Sequence, residues 1–225
     1  MSYEKQDFVD GQILRARHLN HMEDGIDLLF SEIADLKYTP ISILSFSANI
    51  STVELGSEID DLTLSWSLSR SPKTVMINNE PVFPDVTTLE LSNLNLVANK
   101  TYTLKVEDER ETIAQKSVSI TFLNGVYYGV GKNVSNYSNE FILGLTKVLS
   151  NSRARTITVN SDENEHIYYC IPSRLGQCNF NVGGFDGGFS KVSTIQFTNA
   201  SGYRESYDIY KSTNANLGNT TVKIT

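Results

Sequence analysis

The sequence predicts a mainly β protein with an N-terminal helix, an antiparallel β-sandwich and a second β-domain. Large apolar residues recur every three or four positions up to residue 36, and at every second position from residue 41 onward. The charge also changes: residues 40–124 carry 6 basic and 11 acidic side chains, whereas residues 125–225 carry 9 and 7. We therefore expect three parts, over residues 1–39, 40–124 and 125–225.

The N-terminal helix is predicted to begin near Arg15 and to end before Pro40, because a residue that precedes proline resists helical backbone. Its large apolar residues are spaced 3, 4, 3, 4 and 3 apart, which is the a/d pattern of a coiled coil. So narrow a stripe favours packing against copies of the same helix, and folding back onto its own chain is the alternative. The predicted oligomerisation residues are Leu19, Met22, Ile26, Leu29, Ile33 and Leu36.

Residues 40–124 show the alternation of half-buried strands. Leu62, Leu64, Trp66 and Leu68 alternate with polar residues, and turn signals such as Asn-Asn-Glu-Pro at 78–81 separate such runs. Short alternating strands with regular breaks predict an antiparallel β-sandwich. Trp66 is expected at the centre of its core, and Tyr102 where a tyrosine corner closes one end; both roles are structural.

Residues 125–225 continue the strand pattern with a more aromatic composition. Eight of the eleven tyrosines lie here. The segment 139–149 fits either a short helix or a strand.

The most distinctive local motif of this part is GGFDGGF at 183–189. Its glycines permit backbone that other residues avoid, so the motif predicts either a structural turn or a ligand-contacting loop. Aromatic faces beside polar groups are typical of small-ligand sites, including sugar sites. The predicted ligand contacts are Phe185, Asp186, Phe189 and, from another turn, Tyr203.

Several functional classes find no support in the sequence. No apolar run is long enough for a membrane span, no secretion signal begins the chain, and no basic stripe suits nucleic acid. Only three histidines are present, and no nucleophile elbow or metal-ligand spacing accompanies them, so we expect no enzyme, metal or cofactor. Cys170 and Cys178 can pair or stay reduced; a cytoplasmic origin favours free thiols.

The stretch FVDGQILRARHLNHMEDGI at 8–26 resembles the N-terminal segment of bacteriophage tail and baseplate proteins. In that family the segment precedes a helix that bundles around a threefold axis, although Arg15 stands where the family usually has a capping threonine. Residues 40–124 resemble the Ig-like modules of phage structural proteins. The last hundred residues resemble a tail-fibre or baseplate β-domain, in the phrases YYCIP (168–172), VGGF (182–185) and FTNASG (197–202).

The resemblance implies a homotrimer in the virion tail, assembled in the host cytoplasm and bound to other tail or baseplate proteins. Ile at a with Leu at d instead favours a coiled coil of two helices, so the seam alone leaves dimer and trimer open. Two roles follow: host adhesion, in which residues 125–225 bind cell-surface carbohydrate, or a purely structural connector. A cell-wall enzyme is the third and weakest alternative.

Overall fold

The computed structural model describes residues 10–11, 13 and 15–225. The elements are α1 (Ala16–Leu36), β1 (Ile43–Ala48), β2 (Thr52–Glu54), β3 (Leu62–Leu68), β4 (Thr74–Ile77), β5 (Glu80–Val82), β6 (Thr88–Leu91), β7 (Lys100–Glu107), β8 (Ile113–Lys132), α2 (Asn139–Leu143), β9 (Thr146–Ser150), β10 (Arg155–Ser161), β11 (Glu165–Pro172), β12 (Phe180–Val182), β13 (Phe185–Asp186), β14 (Phe189–Thr198), β15 (Arg204–Ser212) and β16 (Gly218–Ile224). One turn of 3₁₀ helix, Ser173–Leu175, follows β11.

The prediction of a mainly β protein is confirmed. The described strands form a three-stranded sheet (β1-β3-β6), a four-stranded sheet (β10-β16-β12-β13) and a large sheet ordered β14-β15-β11-β8-β7-β4-β5. Strands β2 and β9 also pair with β8. Neighbouring strands are antiparallel except for the parallel pair of β2 and β8.

The first module, residues 40–124, packs the three-stranded sheet against β4, β7 and the first half of β8. Leu62, Leu64, Leu104 and Val106 are at most 1% exposed in its core. Trp66 is 4% exposed and Tyr102 5%, so both predicted core aromatics lie inside this cluster.

The alternation breaks at one strand of this module. Leu44 is 62% exposed, although the sequence pattern groups it with Phe46 and Ala48. The pairing of β1 with β3 shifts between Ile43 and Ser45. Such a bulge sets two residues against one, so Ile43 packs against the core while Leu44 turns to solvent.

The second module, residues 125–225, is built around β11. Ile167, Tyr169 and Ile171 face the core beneath the four-stranded sheet, while Tyr168 and Cys170 face a second core that α2 covers. Segment 139–149 contains both of the elements expected as alternatives, because α2 ends at Leu143 with Gly144 as its C-cap and β9 begins at Thr146.

The two cysteines are free thiols. Cys170 belongs to the core on the α2 side of β11, and Cys178 belongs to the core beneath the four-stranded sheet. Because the sheet separates these two cores, the cysteines cannot pair in this fold.

The predicted boundary at residue 124 falls inside one continuous strand. The 20-residue β8 pairs with β7 through Ile120 and with β11 from Tyr127. The hydrophobic core changes between Phe122 and Val126, so the two modules have separate cores joined by one shared strand.

A joint, defined as residues 54–57 and 199–203, adds side-chain contacts between the modules. Glu54, 8% exposed, accepts hydrogen bonds from Lys147 Nζ at 2.7 Å and Tyr127 Oη at 3.2 Å. Asn199 Nδ2 donates to the Leu55 carbonyl at 2.7 Å. These contacts resist bending of one module against the other.

Helix α1 covers Ala16–Leu36, close to the predicted bounds. Arg15 is its N-cap, and the Arg15 backbone N–H donates to His18 Nδ1 at 3.2 Å. The six seam residues, Leu19 to Leu36 in the heptad pattern, are 37–86% exposed. The described part of the chain therefore does not fold back over the seam.

A clasp of Tyr38, Arg70 and Arg110 holds the end of α1 to the first module. Both guanidinium groups lie over the Tyr38 ring, that of Arg110 at 4.3 Å and that of Arg70 at 5.3 Å from the ring centroid. Arg110 also pairs with Asp35 at 2.6 Å and donates to the Ala34 carbonyl at 3.4 Å. A cation at a helix C-terminus is favourable because the helix dipole is negative there.

Candidate functional site

The candidate site is a cleft of about 680 Å³ at the edge of the four-stranded sheet in the second module. We call it the Phe189 cleft. It combines amide, charged and aromatic side chains. Its lining residues are Gln177, Cys178, Asn179, Phe180, Asn181, Asp186, Gly187, Phe189, Lys223 and Thr225.

The glycine motif forms the hairpin that carries one wall of this cleft. Val182 pairs with Phe185, so Gly183 and Gly184 are a two-residue turn with φ of 56° and 95°. Positive φ at both central positions defines the type I′ turn, which glycine pairs favour. The structural interpretation of these two glycines therefore fits, and neither lines the cleft.

A polar row crosses the outer face of the sheet beside the cleft. Asn181 on β12 pairs with Lys223 on β16 and with Asp186 on β13, so the three residues are cross-strand neighbours. Asn181 Nδ2 donates to Asp186 Oδ1 at 2.7 Å, and the Gly184 N–H donates to Asn181 Oδ1 at 3.1 Å. These bonds fix the orientation of the Asn181 amide and of the Asp186 carboxylate.

An aromatic stack forms the apolar part of the cleft. The rings of Phe180 and Phe189 lie parallel, with centroids 4.3 Å apart and planes 7° apart. Phe180 is 7% exposed and also contacts Tyr210, with ring centroids 5.1 Å apart. The stack covers one face of Phe189, so at most its other face is open to a ligand.

The four predicted ligand contacts do not form one surface, which corrects that expectation. Asp186 and Phe189 line the Phe189 cleft, whereas Phe185, 81% exposed, lines an adjoining hollow of about 160 Å³ that shares Asp186 with the cleft. Tyr203 follows the far end of β14, and nine residues of strand at about 3.3 Å each separate that end from Phe189. Tyr203 instead belongs to the joint, beside Gly56.

The remaining polar residues of the cleft carry no signal in the sequence that marks them as functional. Lys223 and Asn181 occupy outward positions between apolar ones, which reads as an ordinary solvent-facing pattern. Only the pairing of β12 with β16, some 40 positions apart in the chain, brings them together. No local signal reports such a pairing.

The two cysteine thiols are weak nucleophiles, and the His166 imidazole contacts the backbone. Burial raises the pKa of the Cys178 thiol to about 11 and also raises the pKa of Cys170. Thiols with raised pKa values are protonated at neutral pH and are weak nucleophiles. His166 Nδ1 lies 2.8 Å from the carbonyl oxygen of Ser212, which orients the imidazole toward backbone.

In the part of the chain that the structure describes, no group of three or more His, Cys, Asp or Glu side chains is arranged to hold a metal ion. No helix among the described residues is long and apolar enough to span a membrane.

No family model matches the sequence, and no curated protein matches it significantly. The chain is similar to the crystal structure of Down Syndrome Cell Adhesion Molecule isoform 1.30.30, N-terminal eight Ig domains, at 11% identity and a TM-score of 0.26, over 78% of this chain and 23% of that one. It is also similar to alpha-L-rhamnosidase from Dictyoglumus thermophilum, at 11% identity and a TM-score of 0.25, over 83% of this chain and 25% of that one. The matched part is thus about a quarter of either protein, and TM-scores this low establish neither fold nor function.

Proposed function

We propose that this chain is a non-enzymatic component of a bacteriophage tail or baseplate that binds host cell-surface carbohydrate. In this proposal α1 assembles a homotrimer as a coiled coil, the first module is an Ig-like spacer, and the second module carries the binding site. The resemblance of residues 8–26 to the N-terminal segment of phage tail proteins supports the virion assignment. Other tail or baseplate proteins are its expected neighbours.

The observation that carries the binding proposal is the composition of the Phe189 cleft. Sugars present apolar C–H faces and many hydroxyl groups, so their sites combine an aromatic surface with planar amide and carboxylate groups. Gln177, Asn179 and Asp186 line the cleft together with Phe189. Its volume of about 680 Å³ lies within the range of small-ligand pockets.

The exposed seam supports the oligomeric part of the proposal. Six large apolar side chains on one helix face are 37–86% exposed in the single chain. Burial of such residues contributes about 1.5–3 kcal/mol each, so packing against copies of α1 is favourable. Linked copies raise avidity by about 10²–10⁴, which would make weak single clefts effective on a cell surface.

A glycan-array screen of the full chain tests the binding proposal, with Phe189→Ala as the cleft variant. Phe185→Ala is the matched control, because Phe185 is exposed outside the cleft. Loss of binding in Phe189→Ala and its retention in Phe185→Ala is the expected result. Absence of any bound glycan, or equal binding by both variants, would reject the cleft as the site.

The connector role remains the second candidate because the modules are joined stiffly. The continuous β8 and the joint of residues 54–57 with 199–203 suit a rigid spacer whether or not the cleft binds a ligand. Retention on host envelopes separates the two roles. Equal retention of the full chain and of Phe189→Ala would favour the connector.

A further inference from the structure

Lys223 is an uncompensated cation beside the Phe189 cleft. It lies on β16 between buried Val222 and Ile224, and within the described residues its side chain makes no ion pair or hydrogen bond. Two other lysines of the second module are engaged: Lys147 pairs with Glu54 at 2.7 Å and Lys191 with Asp208 at 3.0 Å. An ammonium group free of a carboxylate partner is available to an anionic ligand.

Two amides add donors near this ammonium group. Gln177 and Asn179 line the same cleft, and their side chains form no hydrogen bond within the described part of the chain. Each amide has two N–H donors, and the lysine has three. The lining of the cleft therefore includes several uncommitted donors and one positive charge.

Asp186 places a negative charge and a hydrogen-bond acceptor at the other end of the polar row. Its Oδ1 accepts from Asn181, which leaves Oδ2 to accept from a ligand hydroxyl. Lys223 and Asp186 are the two cross-strand neighbours of Asn181, so their backbones lie two strand spacings apart, about 10 Å. A carboxylate repels an anion and accepts hydrogen bonds from hydroxyl groups. The Lys223 end of the row therefore favours an anionic group, and the Asp186 end favours a hydroxyl group.

We infer that the Phe189 cleft binds an acidic sugar, with its carboxylate or phosphate at Lys223 and its hydroxyl groups at Asp186. The inference rests on the proposed carbohydrate binding and adds the charge of the ligand. In this arrangement the sugar ring packs its C–H face against the face of Phe189 that the Phe180 ring does not cover. The excess of basic over acidic side chains in residues 125–225, 9 against 7, also favours the approach of an anion.

Calorimetric titration of the full chain tests the charge of the ligand. The probes are trigalacturonic acid, its methyl ester and galactose 6-phosphate; the ester keeps the rings and removes the charge. We expect one or both anionic probes to bind about tenfold more tightly than the ester, as one charge-assisted contact provides. We also expect this preference to fall as salt rises from 50 to 500 mM.

Three lysine variants localise the preference. Lys223→Gln should abolish it and Lys223→Arg should retain it. Lys132→Gln is the matched control, because Lys132 is also exposed and lacks an ion pair within the described residues. Thermal unfolding should be unchanged in Lys223→Gln, since no described contact is lost.

The outcomes separate the two proposals. Preference for only one anionic probe identifies the anion as carboxylate or phosphate and supports the inference. Equal binding of acid and ester, or a preference that survives Lys223→Gln, overturns the acidic-sugar inference and leaves carbohydrate binding standing. The same holds if none of the probes binds while the array yields a neutral glycan. Absence of binding to the probes and to the whole array rejects both.

Discussion

Single aromatic residues stabilise the first module through burial. Trp66 is 4% exposed within the cluster formed by the two facing sheets, and its indole Nε1 has no hydrogen-bond partner among the described residues. Its contribution is therefore one of packing. Phe83 is 82% exposed in the same module and has no such role.

Truncation of Trp66 tests this packing. Trp66→Ala should lower the free energy of unfolding by about 3–5 kcal/mol, because it removes a large buried side chain and leaves a cavity. Phe83→Ala is the matched control and should change it by less than about 0.5 kcal/mol. Urea denaturation of both variants measures the difference. A loss below about 1 kcal/mol in Trp66→Ala would contradict the core assignment.

Asp108 is a buried carboxylate held by hydrogen bonds. Its oxygens accept from the Tyr38 hydroxyl at 2.6 Å and from the backbone N–H groups of Ile41, Arg110 and Thr112 at 3.0–3.2 Å. Burial opposes ionisation, but these hydrogen bonds outweigh it and lower the pKa of Asp108 to about 2. The ionised carboxylate thus links the segment after α1 to the turn between β7 and β8.

The lowered pKa predicts a dependence of stability on acid. Because the folded-state pKa lies below the unfolded value of about 3.9, the ionised Asp108 carboxylate stabilises the fold above pH 4. This stabilisation is lost as pH falls towards 2. The difference in unfolding free energy between wild type and Asp108→Asn should therefore shrink over this interval. Urea denaturation at pH 5, 4, 3 and 2 measures it. A difference that stays constant would contradict the role of the charge.

At the scale of elements, α1 and the strands depend on different contacts. The β-modules bury their own cores, whereas the seam of α1 is exposed along its length. The clasp of Tyr38, Arg70 and Arg110 ties only the C-terminal end of α1 to the first module. Assembly and folding are therefore expected to be separable.

Charges in the seam test that separation. In the proposed assembly through α1, Ile26→Asp with Ile33→Asp should convert the oligomer to a monomer, because like charges would meet where apolar residues pack. Asn20→Asp with Ser31→Asp adds the same two charges away from the seam and should leave the oligomer intact. Light scattering gives the mass, and far-UV circular dichroism reports the strands. Strands that melt together with the oligomer would show that the modules depend on assembly.

At the scale of the whole molecule, β8 and the joint couple the modules. Gly56 has φ of +91° and approaches the opposite side of the joint so closely that an added Cβ would lie 2.8 Å from Tyr203 Cβ. Only glycine fits such an approach. Tyr203, predicted as a ligand contact, therefore has a structural neighbour in the first module.

Two glycine substitutions separate the clash from backbone strain. Gly202 has a similar φ of +83°, with nothing within 4 Å of an added Cβ. Gly56→Ala should lower the unfolding free energy by about 1–3 kcal/mol, and by more than Gly202→Ala, since only the first adds a clash to the strain at positive φ. Urea denaturation compares the two. Equal losses would place the joint further apart than the structure has it.

The sequence predicted two of the residues that line the candidate site and did not predict its other polar residues. Asp186 and Phe189 were identifiable because the glycine motif stands out locally. Asn181 and Lys223 were not, since each is an ordinary outward residue until β12 and β16 pair. Tyr203 lies apart from them, at the joint, because aromatic composition carries no information on distance, whereas Phe185 lines a hollow that shares Asp186 with the cleft.

The sequence by itself determined the elements, because they depend on periodicity and local chemistry. The 3-4 spacing gave α1, the alternation gave the strands, and the glycine pair at 183–184 gave the turn. The tertiary structure decided how these elements meet: the bulge at Leu44, the continuity of β8, the joint at Gly56 and the Phe189 cleft. Each of these depends on contacts between residues distant in the chain, which alternate pairings of the same strands would change without altering any local pattern.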